Sequence, residues 1–185
     1  MITLCQGGFI LPVLVAPPEN FTDPFSFECL KIRVMTRILF VCAGNICRSP
    51  MAEFIAKHLI SRTHIRDVEV KSCGLNGLHN GQAMHLGTQK ALTQNAIPFS
   101  KFQSQQVSQS LFAWATDVLV MDHANYEALV AQFGRHNKIS KLTDYGHLGY
   151  AEVPDPWYTG DFDETYTILF DAIHRFFVKK ALILL

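Results

Sequence analysis

Along this chain, short apolar runs alternate with longer segments in which apolar residues recur every three or four positions. Four of the runs are typical of buried strands, because they are rich in β-branched residues and bounded by turn formers. They lie at residues 38–42, 68–72, 117–121 and 139–142. The segments with helical period follow them, at residues 50–59, 86–95, 123–133 and 162–180.

Turn-forming residues agree with these boundaries. We expect Pro50 at the first position of the first helix, where its missing N–H costs nothing. Pro98 lies beyond the second helix, and Gly134 is expected to close the third. Repeated strand–helix alternation is typical of an α/β fold in which a parallel sheet carries helices on both faces. Ligands of such folds bind at the carboxyl ends of the strands.

Residues 1–34 differ from the rest of the chain. They contain four prolines, few charges and no sustained periodicity, and a strong strand signal begins directly after Met35. We therefore expect a poorly ordered extension at residues 1–34 and a folded domain at residues 35–185. The alternatives for the extension are an over-long translation start and a genuine docking or regulatory arm.

Composition and charge exclude several classes of protein. Sixteen basic and sixteen acidic residues cancel, so no net charge draws the chain to nucleic acid or to an anionic membrane. The apolar stretch at residues 7–16 contains Pro12 and is shorter than the roughly 20 residues of a membrane span. No basic residue precedes Lys31, and five cysteines do not suggest a secreted disulfide framework. We expect a cytoplasmic protein.

The first strand ends in a loop that contains several residues capable of catalysis or anion binding, and a helix starts immediately after it. Such a loop directs several backbone N–H groups at one point and forms an anion site. Cys42 is expected to be a nucleophile, because the helix dipole, the loop amides and Arg48 all favour its thiolate. Arg48 presents a planar fork that matches two phosphate oxygens. The loop reads Cys42-Ala43-Gly44-Asn45-Ile46-Cys47-Arg48-Ser49.

Other residues of this loop would shape it. Gly44 and Asn45 suit left-handed backbone angles. Ser49 is placed either to cap the helix or to donate its hydroxyl to the Cys42 sulfur, and the two roles compete. Alternatively, Cys42 and Cys47 are ordinary buried thiols. A zinc site is disfavoured, because the spacing of the two cysteines is unusual for zinc and no complementary Cys/His pair follows.

The string Val-Cys-Ala-Gly-Asn-Ile-Cys-Arg-Ser-Pro-Met-Ala-Glu at residues 41–53 resembles the low-molecular-weight protein tyrosine phosphatase family. The resemblance runs from about residue 36 to residue 178. It implies a four-stranded parallel sheet in a flavodoxin-like three-layer sandwich, a phosphocysteine intermediate on Cys42, and neither metal nor cofactor. The phosphate-binding residues that it implies beside Arg48 are Ala43, Gly44, Asn45, Ile46, Cys47 and Ser49.

A second match to the family lies at residues 153–158, Val-Pro-Asp-Pro-Trp-Tyr. Expulsion of tyrosinate benefits from a positioned proton donor, and an acid on a proline-stiffened loop meets that need. By resemblance, Asp155 is the general acid and later the base that activates water; without the aromatic pair it would be a turn residue. Trp157 and Tyr158 would wall the substrate ring, and Leu78 stands where relatives often have an aromatic residue.

Several further residues have open roles. Ser72 resembles a family serine that supports the loop from behind, although a strand-end serine needs no such role. Asp122 is expected to cap the helix at residues 123–133. Phe102 stands where the family often has a histidine that supports Asn45, so that support is either weaker or built differently. Cys47 either packs behind the loop or forms a reversible disulfide with Cys42 under oxidant, as the resemblance suggests.

These residues predict an enzyme that hydrolyses phosphotyrosine in a protein. A protein-arginine phosphatase of the same fold is an alternative, but the bulky apolar Ile46 favours tyrosine. An arsenate reductase is disfavoured, because no cysteine follows Cys73. A non-catalytic anion-binding regulator is a third alternative. The expected partner is a phosphotyrosine-containing protein, such as a bacterial tyrosine kinase, and the expected state is a monomer or a weak dimer.

Overall fold

The computed structural model describes residues 35–63 and 65–183, so the prediction for residues 1–34 lies outside the described residues. Four parallel strands form one sheet in the order β2-β1-β3-β4. They are β1 (Thr36–Cys42), β2 (Val68–Gly74), β3 (Asp117–Val120) and β4 (Ile139–Lys141). The predicted α/β fold with a four-stranded parallel sheet is therefore confirmed.

Helices cover both faces of the sheet. Along β1, Ile38 and Phe40 face one side and Leu39 and Val41 the other, and all four are fully buried. Burial on both faces explains why this strand is a continuous apolar run. The described α-helices are α1 (Arg48–Thr63), α2 (Leu86–Gln94), α3 (Gln109–Trp114), α4 (His123–Phe133), α5 (Pro156–Thr159) and α6 (Phe162–Lys179), and a 3₁₀ helix spans Leu142–Tyr145. α1, α2 and α6 pack on the Phe40 side, and α3 and α4 on the Val41 side.

Several boundaries differ by one to four residues from the sequence-based expectation, and two of them lie beside the site. α1 begins at Arg48, so Pro50 is its third residue and not its first. The first turn of a helix leaves its N–H groups without intrahelical partners, and the ring is tolerated there for the same reason. β2 continues two residues past Ser72 to Gly74, and pairs with β1 along its full length.

Two short α-helices and the 3₁₀ helix were not predicted. α3 has six residues and α5 has four, which is too short for a period of 3.6 residues to stand out. Their start signals are nonetheless present, because the side chains of Ser108 and Asp155 accept hydrogen bonds from backbone N–H groups of the first turn. None of the described helices is long and apolar enough to cross a membrane.

The parallel register brings distant chain segments to one edge of the sheet. Val41 pairs with Val120, so the loop after β1 lies beside the segment that follows β3. Cys42 pairs with Gly74 on the other side, which brings in the segment after β2. The carboxyl ends of the central strands therefore present three segments at the place where α/β folds bind ligands.

Candidate active site

The loop between β1 and α1, residues 42–48 and called the phosphate loop below, surrounds one sulfur atom. Cys42 is the last residue of β1 and is 3% exposed. Its Sγ accepts a hydrogen bond from the backbone N–H of Asn45 at 3.3 Å and lies 3.1 Å from the hydroxyl oxygen of Ser49. Of the two roles considered for Ser49, the contact with Cys42 is present; the residue lies inside the first turn of α1 and does not cap it.

Asn45 is the turning point of this loop. Its φ of 55° lies in the left-handed region, as expected, and its side chain is fully buried. The amide Nδ2 donates to Ser49 Oγ and to Ser72 Oγ, each at 2.9 Å, and Oδ1 accepts from the backbone N–H of Gln105 at 2.9 Å. These bonds hold a backbone conformation that is unfavourable for a residue with a side chain.

Phe102 takes no part in that support. Its ring packs against Phe54, with ring centroids 6.1 Å apart. The position at which the family resemblance implies a supporting histidine is thus occupied by a partly buried aromatic residue, and Ser72 with the Gln105 backbone holds the asparagine. The sequence left two alternatives for the support of Asn45, weaker support or support by other groups. The structure has the second.

Gly44 is needed for a different reason from the one expected. It does not have a positive φ, so the prediction of a left-handed conformation was wrong. A Cβ at this position would lie 2.7 Å from Cδ2 of His79. Likewise, a Cβ on Gly74 would lie 2.9 Å from the carbonyl carbon of Gly44. Close packing around the phosphate loop, and not backbone strain, requires these two glycines.

Arg48 joins the phosphate loop to two acidic side chains. Its Nη1 donates to Asp122 at 2.6 Å and to the Val153 carbonyl at 3.1 Å, and its Nη2 donates to Asp155 at 2.5 Å. Burial would lower the pKa of Arg48, but the negative charges of Cys42, Asp155 and Asp122 raise it above its ordinary value. Among the described residues, the buried Nε has no hydrogen-bond partner. Of the five guanidinium N–H groups, the one on Nε and one on Nη2 are therefore not used by these contacts.

Asp122 has two roles. Its Oδ1 accepts from the backbone N–H of Asn125 at 2.6 Å and caps α4, as predicted. Its Oδ2 binds Arg48, a contact that the sequence did not reveal. Proximity along the chain gives no sign of this pair, since only the parallel pairing of β1 and β3 brings the two residues together.

Asp155 lies at the start of α5. Its Oδ1 accepts from the backbone N–H of Trp157 at 3.1 Å, while its Oδ2 binds Arg48. The segment is attached to the sheet by Val153, whose N–H donates to the Met121 carbonyl at 2.8 Å. The predicted acid, arginine and cysteine therefore converge, although more than one hundred residues separate Cys42 from Asp155.

Cys42 and Asp155 line a cleft of about 240 Å³. Three of the predicted wall residues form its rim and are strongly exposed: Leu78 at 80%, Trp157 at 55% and Tyr158 at 85%. The residues that line the cleft are Cys42, Ala43, Gly44, Ile46, Cys47, Asn76, Leu78, His79, Asp155, Trp157 and Tyr158. All of the predicted loop and wall residues line it except Asn45, Arg48 and Ser49, which are buried.

The family of the chain follows from comparison with known proteins. The model of the low molecular weight phosphotyrosine protein phosphatases matches residues 37–182, almost the whole described region. The chain belongs to this family. It is a phosphatase, and its family membership implies phosphorylated proteins as substrates.

Relatives and solved structures agree. The low molecular weight protein-tyrosine-phosphatase YfkJ of Bacillus subtilis is 37% identical over 139 residues, which are 73% of this chain and 89% of YfkJ. Its crystal structure has a TM-score of 0.75 and 35% identity, and the match covers 80% of this chain and 96% of that one. PtpA of Staphylococcus aureus, with the same family name, is 33% identical over 80% of this chain and 97% of its own length.

A further neighbour has a different specificity. YwlE of Bacillus subtilis is 29% identical with a TM-score of 0.71, and the match covers 79% of this chain and 99% of YwlE. YwlE is described as an arginine phosphatase in a structure with a phosphorylated active-site serine. Phosphatases with this fold therefore differ in the residue that they dephosphorylate.

Two histidines near the cleft were missed in the sequence. His79 lines the cleft, with Nδ1 2.9 Å from Gln82 Oε1 and its ring centroid 6.0 Å from that of Trp157. His85 caps α2 through Nδ1, which accepts from the Gly87 N–H at 3.1 Å, and its ring lies 5.7 Å from Trp157. An isolated histidine gives no periodic or spacing signal, so nothing in the sequence marked either position.

Cys47 and Cys73 are protonated thiols, whereas Cys42 is proposed to react as a thiolate. Burial, together with the negative charges of Asp155 and Cys42, raises the pKa of Cys47 to about 12. Burial also raises the pKa of Cys73 above its ordinary value. Both are buried free thiols that stay protonated at neutral pH.

Proposed function

We propose that this protein hydrolyses phosphotyrosine in proteins through a phosphocysteine intermediate on Cys42. The observation that carries the proposal is a buried sulfur that contacts a loop N–H and a hydroxyl and interacts electrostatically with the buried guanidinium of Arg48. Fixed hydrogen-bond donors and one guanidinium near a thiol match what phosphoryl transfer requires, which is positioning and charge stabilisation.

In the first step, the Cys42 thiolate attacks phosphorus and the bond from phosphorus to the tyrosine oxygen breaks. Protonated Asp155 gives its proton to the departing phenolate, so tyrosine leaves neutral. Arg48 and the N–H groups of the phosphate loop stabilise the negative charge on the remaining phosphate oxygens. Because Arg48 Nη2 already contacts Asp155, the acid is close to the anion site before substrate binds.

In the second step, water attacks the phosphorus of the phosphocysteine while Asp155 accepts a proton from that water. The sulfur–phosphorus bond breaks, the thiolate of Cys42 is regenerated, and inorganic phosphate leaves. The hydroxyl of Ser49, at 3.1 Å from the sulfur, is positioned to stabilise the thiolate as it forms.

Tyrosine is the substrate residue that the cleft favours. Ile46 lines the cleft together with Trp157 and Tyr158, and these side chains offer apolar and aromatic surface to a phenyl ring. The similarity to YwlE makes arginine the second candidate. A small polar side chain in place of Ile46 would better accommodate a guanidinium, so we expect Ile46→Thr to raise activity on phosphoarginine relative to phosphotyrosine.

The test is turnover of matched phosphotyrosine and phosphoarginine peptides by the wild type and by Cys42→Ser. We expect phosphotyrosine hydrolysis by the wild type, none by the serine variant, and a sulfur-linked phosphoenzyme after acid quench of wild-type turnover. Faster hydrolysis of phosphoarginine would overturn the substrate assignment. Equal turnover by the two proteins would refute the mechanism, and phosphate binding without turnover would indicate a non-catalytic regulator.

The biological setting is also part of the proposal. We expect the phosphatase domain to span residues 35–185, the location to be cytoplasmic, and the partner to be a phosphotyrosine protein such as a bacterial tyrosine kinase. The reduced state of the buried thiols Cys47 and Cys73 is compatible with a reducing compartment. Comparison of phosphotyrosine proteomes with and without the gene identifies the substrate, and cell fractionation checks the location.

A further inference from the structure

A buried acidic side chain lies behind the phosphate loop and has no part in the proposed chemistry. Glu53, on α1, is 7% exposed. One carboxylate oxygen accepts from the Ser72 hydroxyl at 2.6 Å, and the other pairs with the Lys57 ammonium. A buried carboxylate is costly unless it is paired and hydrogen-bonded, and here both oxygens have partners.

The hydrogen bonds that lead from Glu53 toward the nucleophile run in one direction. A carboxylate beside an ammonium can only accept, so Ser72 must donate its hydroxyl hydrogen to Glu53. The Ser72 oxygen then accepts from Asn45 Nδ2 at 2.9 Å. The second hydrogen of the same amide is donated to Ser49 Oγ, also at 2.9 Å.

Ser49 therefore has one hydrogen to give and two acceptors within reach. These are Cys42 Sγ at 3.1 Å and the Cys73 carbonyl oxygen at 3.2 Å. The backbone N–H of Gln105 donates to Asn45 Oδ1 at 2.9 Å and holds the amide in the same orientation from its other end. With the amide fixed in this way, the Ser49 hydrogen cannot be directed toward Asn45.

We propose that Glu53 is a positioning residue that sets the direction of this hydrogen-bond chain and thereby keeps the Ser49 hydroxyl hydrogen available to the Cys42 thiolate. A hydrogen bond to an anion is stronger than one between neutral groups, so the thiolate gains stability from it. The inference rests on the proposed function, in which Cys42 acts as the thiolate nucleophile.

The first test is Glu53→Gln, which preserves shape but provides only one acceptor oxygen. The Lys57 ammonium requires that oxygen, so the amide NH₂ faces Ser72 and donates a hydrogen bond where the carboxylate accepted one. We expect alkylation of Cys42 by iodoacetamide at pH 7 to slow by about tenfold, the size of a weakened hydrogen bond to a charged group. The kcat for p-nitrophenyl phosphate should fall by a similar factor, with the thermal midpoint measured to establish folding.

The matched control and the rescue both use Lys57. Lys57→Met alone leaves Glu53 as the acceptor for the Ser72 hydroxyl, so the direction of the chain is unchanged and alkylation should stay within about threefold of the wild type. In the double variant Glu53→Gln/Lys57→Met, the amide oxygen is free to face Ser72, and alkylation should return to the rate of the Lys57→Met protein. A role in folding alone would give no such recovery.

Two results would overturn the inference: wild-type alkylation in Glu53→Gln, or slow alkylation that Lys57→Met does not restore. If Glu53→Gln does not fold, Ser72→Ala interrupts the same chain and should slow alkylation to the same extent; an unchanged rate there also overturns it. Alkylation requires no turnover. A protein that alkylates as expected but does not hydrolyse phosphotyrosine would refute the proposed function and leave this inference standing.

Discussion

The phosphate loop and the rim of the cleft are built on opposite principles. In the loop, Cys42, Asn45 and Arg48 are all nearly or fully buried, and each has several hydrogen-bond partners. On the rim, Leu78 and Tyr158 expose more than three quarters of their surface. The loop has one arrangement available to it, whereas the rim side chains have free space around them. Small changes in the phosphate loop should therefore alter the rate of the chemical step, whereas large changes on the rim should be tolerated.

Among substitutions that test this contrast, Arg48→Lys is expected to have the largest effect on activity. Lysine keeps the charge but loses the planar fork that reaches two carboxylates and a carbonyl and that is proposed to bind phosphate. We expect kcat/KM for phosphotyrosine to fall by about 10²- to 10³-fold, the range for loss of a preorganised donor to transition-state charge. Steady-state kinetics measure the loss, and a fall of less than tenfold would show that charge alone suffices in the loop.

Substitutions of the two carboxylates that bind Arg48 should differ in how their effect on the rate depends on the leaving group. Asp155→Asn removes the proton donor and should slow phenyl phosphate by about 10²-fold or more, with a much smaller effect on p-nitrophenyl phosphate. Asp122→Asn keeps the cap of α4, since asparagine caps well, and removes only charge from Arg48. We expect a loss of about tenfold that is equal for both substrates, as for one weakened charged hydrogen bond. Equal leaving-group dependence in the two variants would contradict the assignment of Asp155.

On the rim, Trp157→Ala should change binding more than chemistry. The indole borders the cleft and contacts the rings of His79 and His85, so its loss removes aromatic surface from the substrate wall. We expect KM for a phosphotyrosine peptide to rise by about three- to tenfold with kcat little changed. Leu148→Ala, an exposed apolar residue outside the cleft, is the matched control. A larger fall in kcat than rise in KM would place Trp157 in the chemistry.

The smallest effect concerns stability at high pH. The folded thiol of Cys47 keeps its proton up to about pH 12, whereas an unfolded thiol loses it near its ordinary value of 9.0. Between pH 9 and about pH 12, the folded state therefore holds one proton more than the unfolded state at this group. Its contribution to the free energy of unfolding is fully present below pH 9 and falls by about 1.4 kcal/mol per pH unit above it. Urea unfolding at several pH values should show a shallower fall for Cys47→Ala. An identical slope in both proteins would indicate that Cys47 titrates freely in the fold.

The sequence predicted the parts of this molecule that depend on local pattern. Strand β1, the loop after it and the cap at Asp122 follow from periodicity, turn chemistry and residue type. The contact of Arg48 with Asp122, and the approach of His79 to Gly44, depend on which strands are neighbours. Such contacts have no local signal, because the parallel sheet brings together residues that are far apart in the chain.

The starting point of α1 at Arg48 has a consequence for the length of the loop. Successive helical residues are rotated by about 100° around the axis, so Arg48 and Ser49 leave the first turn in different directions. One directs its guanidinium to Asp155 and the other its hydroxyl to the sulfur. Inserting or deleting a single residue between Cys42 and Arg48 would turn both side chains away from their targets at once. Insertions should therefore be tolerated in the exposed segment around Leu78, and not in this stretch of six peptide bonds between Cys42 and Arg48.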